Sequence, residues 1–141
     1  MRYVFREGAK EIIHHTRYED LHVMPASIDL ETLQTMLEAK YQIYTLRDAL
    51  DELEGYDAVY LDTPPAFNFF TLSALIAADR CLIPFDCDDF SRRALYQLLE
   101  GVDEVREDHN SELQVGGIVV NQFQPRARLP QRLVDELIGE G

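Results

Sequence analysis

Asp62 is the residue of this chain whose position most invites chemistry. It closes a short apolar run, Tyr56-Asp57-Ala58-Val59-Tyr60-Leu61, and Thr63-Pro64-Pro65 follow it. Proline has no backbone N–H and cannot continue a ladder, so the chain must leave a sheet there. A run bounded by Gly55 and Pro64 reads as a buried strand of a parallel sheet over residues 58–62. Open α/β sheets bind ligands at the carboxyl ends of such strands, which makes Asp62 the first functional candidate. The same aspartate can instead cap the turn before the prolines, and the strand alone leaves both readings open.

Other polar groups compete for a role. Asp86, Asp88 and Asp89 gather just past a second apolar run, Arg80 to Phe85. A carboxylate cluster there could hold a divalent cation, but Ser91 opens a helix immediately afterwards and aspartate favours the positive end of a helix dipole, so the helix start is preferred. Asn121 ends a third run, Gly116 to Val120, again at a ligand edge. Arg126, Arg128 and Arg132 form the one basic concentration of the second half, diluted by Asp135 and Glu136. His14 and His15 are neighbours in sequence and point apart on a helix, with no cysteine or carboxylate at a ligand spacing, so they read as solvated side chains. His22 and His109 have no support as catalysts.

The elements that position these groups follow from periodicity. Met1 to Thr16 reads as a short helix and loop, and Leu21 to Ala26 as a strand. Asp29 can cap a helix with Leu30, Leu33, Met36 and Leu37 on one face. Thr45 and Asp48 start another through Leu46, Ala49, Leu50 and Leu53, which Gly55 stops. Phe67, Phe69 and Phe70 lie in a loop and pack beneath it; Thr71 caps a helix from Leu72 to Ala78. Ser91 to Glu107 is the longest helix, burying Leu95, Leu98, Leu99, Val102 and Val105. Pro130 sits where a last helix begins. Strand-helix-strand order, with connections too long for hairpins, predicts parallel strands and right-handed crossovers.

Bulk properties bound the answer. At 141 residues and 46% hydrophobic content, one compact domain over 1–141 is expected. The formal net charge of -13 opposes nucleic-acid binding by the chain as a whole, so a DNA contact needs a local patch. Cys81 and Cys87 do not form a disulfide framework. On one extended strand, at about 3.3 Å per residue, they stand roughly 20 Å apart, and free thiols in a reducing cytoplasm follow. No apolar run reaches the ~20 residues of a membrane span, and no signal peptide opens the chain.

Three linked segments carry a family resemblance. Asp62-Thr63-Pro64-Pro65, then Thr71-Leu72-Ser73-Ala74-Leu75-Ile76-Ala77-Ala78-Asp79-Arg80, then Leu82-Ile83-Pro84-Phe85 with Cys87 resemble the middle of the ParA/Soj chromosome and plasmid partitioning ATPases. Leu21 to Ser27 and Val119-Val120-Asn121 extend the likeness over about 18–137. The resemblance implies an α/β, three-layer, Rossmann-like P-loop NTPase fold with a mostly parallel sheet, here incomplete. It makes Asp62 the Walker B aspartate that helps hold Mg²⁺ through water beside ATP, and Asn121 the residue that contacts adenine. Arg126 and Arg128 fall where relatives bind DNA nonspecifically. It further implies a homo-oligomer with ATP between subunits, a ParB-like partner and association with the nucleoid; the chain itself reads as cytoplasmic, and no amphipathic anchor helix argues for a membrane role.

One departure outweighs every substitution. A phosphate-binding loop needs closely spaced glycines, a lysine and a Ser/Thr. The two lysines, Lys10 and Lys40, follow no glycine-rich turn, and the family's KGGxGKT signature would lie upstream of Met1. Phosphate positioning supplies most of the rate in phosphoryl transfer, so this chain alone is expected to bind neither Mg²⁺ nor ATP well and to hydrolyse nothing. Two functions stay open: part of a partitioning ATPase whose activity belongs to the full-length protein, or a non-enzymatic ParA-like interaction or dimerisation module.

Overall fold

The structure, a computed structural model, describes residues 12–26, 42–86 and 89–121, with the backbone alone for 89–92. The helix expected from Asp29, the segment after Asn121 with Arg126, Arg128, Arg132 and Pro130, and Cys87 and Asp88 lie outside the described residues. The described elements run β1 (His14–His15), β2 (His22–Val23), α1 (Thr45–Asp51), α2 (Phe69–Ala77), β3 (Arg80–Asp86), α3 (Asp89–Asp108) and β4 (Gln114–Asn121). They fall into two compact units, 1–78 and 79–141.

In the first unit β1 and β2 pair antiparallel, His14 opposite Val23 and His15 opposite His22. This corrects two expectations, a helix-and-loop before Thr16 and a parallel strand from Leu21. The physical reason is the connection: a parallel crossover needs a dozen or more residues, and only 16–21 join these strands. The turn is tied by the Tyr18 N–H donating to Thr16 Oγ1 at 3.1 Å and the Thr16 N–H to the Leu21 carbonyl at 3.3 Å. Asp20 takes the left-handed conformation at φ 59°, which aspartate tolerates better than most residues.

Helix α1 buries Leu46 and Ala49 against Ala74 of α2, with Ile12, Met24, Leu50, Leu53, Leu61 and Ala77 packed around them. Its N-cap is Tyr44, whose side chain makes no capping bond, and Thr45 is the first helical residue. The helix ends at Asp51, before the expected stop. The Leu53 N–H then closes a turn on the Leu50 carbonyl, and Gly55 takes φ 83°, where an L side chain is strained.

The strand expected at 58–62 does not form. Val59 is 50% and Tyr60 89% exposed, and the segment joins no ladder among the described residues. An apolar run becomes a buried strand only when a neighbour takes its backbone groups and helices cover its side chains. Here Leu61 alone of these residues packs on the α1–α2 core.

Helix α2 starts at Phe69, earlier than expected, because Asn68 rather than Thr71 is its N-cap. Asn68 Oδ1 accepts from the Phe70 N–H at 3.0 Å and the Thr71 N–H at 3.2 Å. Phe69 and Phe70 are buried, as packing under the loop required, while Phe67 is exposed.

In the second unit β3 and β4 form the expected parallel pair, in register from Arg80–Gln114 to Asp86–Asn121. Helix α3 covers one face: Leu95 packs with Ile83 and Phe85, flanked by Cys81, Leu98 and Leu99. Val102, Val105 and Leu113 are also buried. The opposite face is open, with Leu82 61% and Val119 52% exposed, so β4 is not the buried strand its composition suggests. Cys81 is a free thiol.

Candidate functional site

The carboxyl end of the parallel pair is where such sheets meet ligands, and its last rung joins Asp86 to Asn121. How the two strands arrive in step is set near their start. Cys81 pairs with Val115 but Leu82 with Gly117, so Gly116 is an extra residue, a β-bulge. Gly117 then takes φ 152°, and a Cβ on Gly116 would stand 3.4 Å from the Cys81 carbonyl oxygen. From Leu82–Gly117 onward the ladder is regular, which brings Asp86 and Asn121 level.

Asn121 Nδ2 donates to Asp86 Oδ1 at 3.1 Å, and both residues are exposed. An ionised carboxylate only accepts, so it fixes which end of the amide faces it: the NH₂ turns to Asp86 and Oδ1 turns away. The sequence identified both residues separately but not their bond, because the bulge that brings them level leaves only a Gly-Gly pair as its sign. Such a pair signals a bulge when found inside a strand.

Asp62 is exposed and belongs to the first unit. The chain just beyond it is anchored: the Thr71 hydroxyl reaches back to the Ala66 carbonyl at 2.8 Å and is 3.4 Å from that of Pro64. Thr71 thus pins the Pro64–Ala66 turn to the first turn of α2, while Asn68 supplies the cap. Asn68 went unread because the surrounding phenylalanines resemble loop packing, although Asn is among the strongest N-cap residues.

Among the described residues no group of three or more His, Cys, Asp or Glu is arranged to hold a metal ion. Burial pushes the Cys81 thiol above its ordinary value, partly offset by a backbone hydrogen bond. A thiol so shifted is a poorer nucleophile at neutral pH. No described helix is long and apolar enough to cross a membrane.

Comparison with known proteins fits this geometry. The profile of an AAA domain family, AAA_31, matches residues 3–115. The chromosome partitioning protein ParA of Myxococcus xanthus is 35% identical over 132 residues, covering 92% of this chain and 47% of that protein. The chromosome-partitioning ATPase Soj of Treponema pallidum is 30% identical over 128 residues, covering 89% and 51%. Among solved structures, a cobyrinic acid a,c-diamide synthase from Mycobacterium smegmatis with bound ADP and magnesium superposes with a TM-score of 0.87 at 25% identity, over 98% of this chain and 57% of that one. A plasmid partition protein from Borrelia burgdorferi gives 0.78 at 18% identity, over 96% and 60%, a likeness of fold.

These matches define an α/β fold of the P-loop NTPase type, here with an incomplete Rossmann-like sheet. The chain belongs to the AAA-domain family, as a ParA-type member. It spans about half the length of the curated relatives it matches.

Proposed function

We propose that this chain is the part of a partitioning ATPase that follows the phosphate-binding loop, a single ParA-type domain over 1–141. Asp62 holds Mg²⁺ through water and Asn121 meets the adenine of ATP. Arg126 and Arg128 contact DNA without sequence preference. The full-length protein then hydrolyses ATP to segregate chromosome or plasmid DNA, working in the cytoplasm at the nucleoid with a ParB-like partner. What supports this reading most is the last rung of the β3–β4 ladder: Asn121 stands at the ligand edge of a parallel pair with its amide turned in a defined sense.

The missing phosphate cradle decides what the chain does alone. Without the glycine loop and its lysine, Asp62 has little to act on, and the chain alone hydrolyses no ATP. The test is a graft in which this chain replaces the matching half of the Myxococcus xanthus protein. The graft should hydrolyse ATP, and Asp62→Ala should lower the rate by about 100-fold or more. Arg126→Ala with Arg128→Ala should flatten the salt dependence of DNA binding by about two counterions. A graft whose ATPase is indifferent to Asp62 overturns the assignment.

A second reading, a non-enzymatic interaction or dimerisation module, draws on the open face carrying Leu82 and Val119. Parallel sheets are ordinarily covered on both faces, and a homo-oligomer would cover this one. Light scattering tests that oligomer: a monomer at high concentration ends the dimerisation reading.

A further inference from the structure

The hairpin of β1 and β2 sets two histidines against each other. The register pairs His15 with His22 across the strands, so their Cβ atoms stand about 4.5–5.5 Å apart on one face. Their rings meet edge to face, centroids 4.2 Å apart and planes at 78°. His22 is gripped on another side by Tyr56: Nδ1 lies 2.8 Å from the phenol oxygen, and the two rings meet edge to face at 5.5 Å. His15 is exposed and His22 half-buried, so solvent reaches the pair.

A neutral imidazole carries one N–H and one lone pair. In the tautomer whose Nδ1–H donates to the Tyr56 oxygen, the His22 lone pair sits on Nε2. Metal-bound histidines use the same arrangement, one nitrogen on the metal and the other N–H held by an outer partner. A metal about 2.0–2.1 Å from one nitrogen of each ring puts the two ring centroids roughly 4.5–5 Å apart, close to the observed 4.2 Å. The formal charge of -13 adds a long-range attraction for cations.

We propose that His15 and His22 form a surface chelate for a borderline divalent transition-metal ion, with Tyr56 positioning the His22 ring. Two protein nitrogens leave the remaining coordination positions to water. Imidazole favours copper, nickel and zinc over magnesium, and copper binds tightest. His14 precedes His15 on the strand and projects from the opposite face, outside the chelate. The site shares no residue with Asp62 or Asn121, so it stands whether or not the nucleotide reading does.

The test is calorimetric titration of the untagged chain with Cu²⁺ in a non-coordinating buffer, with Mg²⁺ as the hard-ion control. One Cu²⁺ per chain is expected. Tyr56→Phe should weaken it by about tenfold, and His15→Ala or His22→Ala by more, each variant keeping the wild-type circular dichroism. His14→Ala and His109→Ala should leave the affinity unchanged, and no Mg²⁺ signal should depend on either chelating histidine. Copper binding equal in the wild type and the His15→Ala/His22→Ala double variant overturns the proposal, as does an equal loss in His14→Ala.

Discussion

Asn121 Nδ2 donates to Asp86 Oδ1 at 3.1 Å across the last rung of the parallel β3–β4 ladder. The bond is exposed, and exposed polar pairs contribute little to stability. Its consequence is orientation. Asp86→Ala should therefore change unfolding free energy by less than about 0.5 kcal/mol, yet shift the side-chain amide resonances of Asn121. Unmoved amide resonances would mean that the two groups do not meet in solution.

Asn68 accepts from both the Phe70 and Thr71 N–H groups at the start of α2. Removing an N-cap costs about 1 kcal/mol, within a range of roughly 0.5–2. Asn68→Ala should lower stability by that amount in urea unfolding, and Asn68→Asp should restore most of it. Equal stability of all three proteins would place the start of α2 elsewhere.

How much of this was legible in sequence depended on whether local spacing or distant pairing made the decision. Helix α3 was readable because Leu95, Leu98, Leu99, Val102 and Val105 recur at helical spacing, and the structure buries or half-buries all five. Strand β3 was readable from its short apolar run. The run ending at Asp62 looked the same locally, but a strand exists only through its neighbours, and composition cannot supply them. The His15–His22 meeting was hidden for a related reason: it depends on the register of a hairpin whose strands are two residues each. Asp62 is a candidate through its motif alone, and the structure shows the anchoring of the turn beyond it by Thr71.

Ser73 Oγ is fully buried and has no hydrogen-bond partner among the described residues. An unsatisfied hydroxyl costs free energy that a methyl group does not. Ser73→Ala should leave stability unchanged or raise it by up to about 1 kcal/mol. A clear loss in thermal unfolding would reveal a partner for the hydroxyl.

Cys81 gives a pH dependence with a defined sign. Burial raises its thiol, so the folded protein holds the proton more tightly than the unfolded chain. Below the ordinary thiol range both states are protonated and the full stability is present. As pH rises through that range the unfolded state ionises first, and stability falls until the raised value is passed. Unfolding midpoints measured between pH 8 and about 10 should fall less steeply in Cys81→Ala than in the wild type. Identical slopes would remove the burial effect.

The central proposal is that Asp62 serves Mg²⁺ and Asn121 serves adenine, each by family resemblance, while the phosphate cradle such a nucleotide needs is absent from this sequence. Titration calorimetry with MgATP tests it most directly. The account predicts a dissociation constant weaker than about 1 mM, since what remains supplies less than the roughly 4 kcal/mol that such affinity needs. Micromolar binding by the wild-type chain that disappears in Asp62→Ala would contradict it.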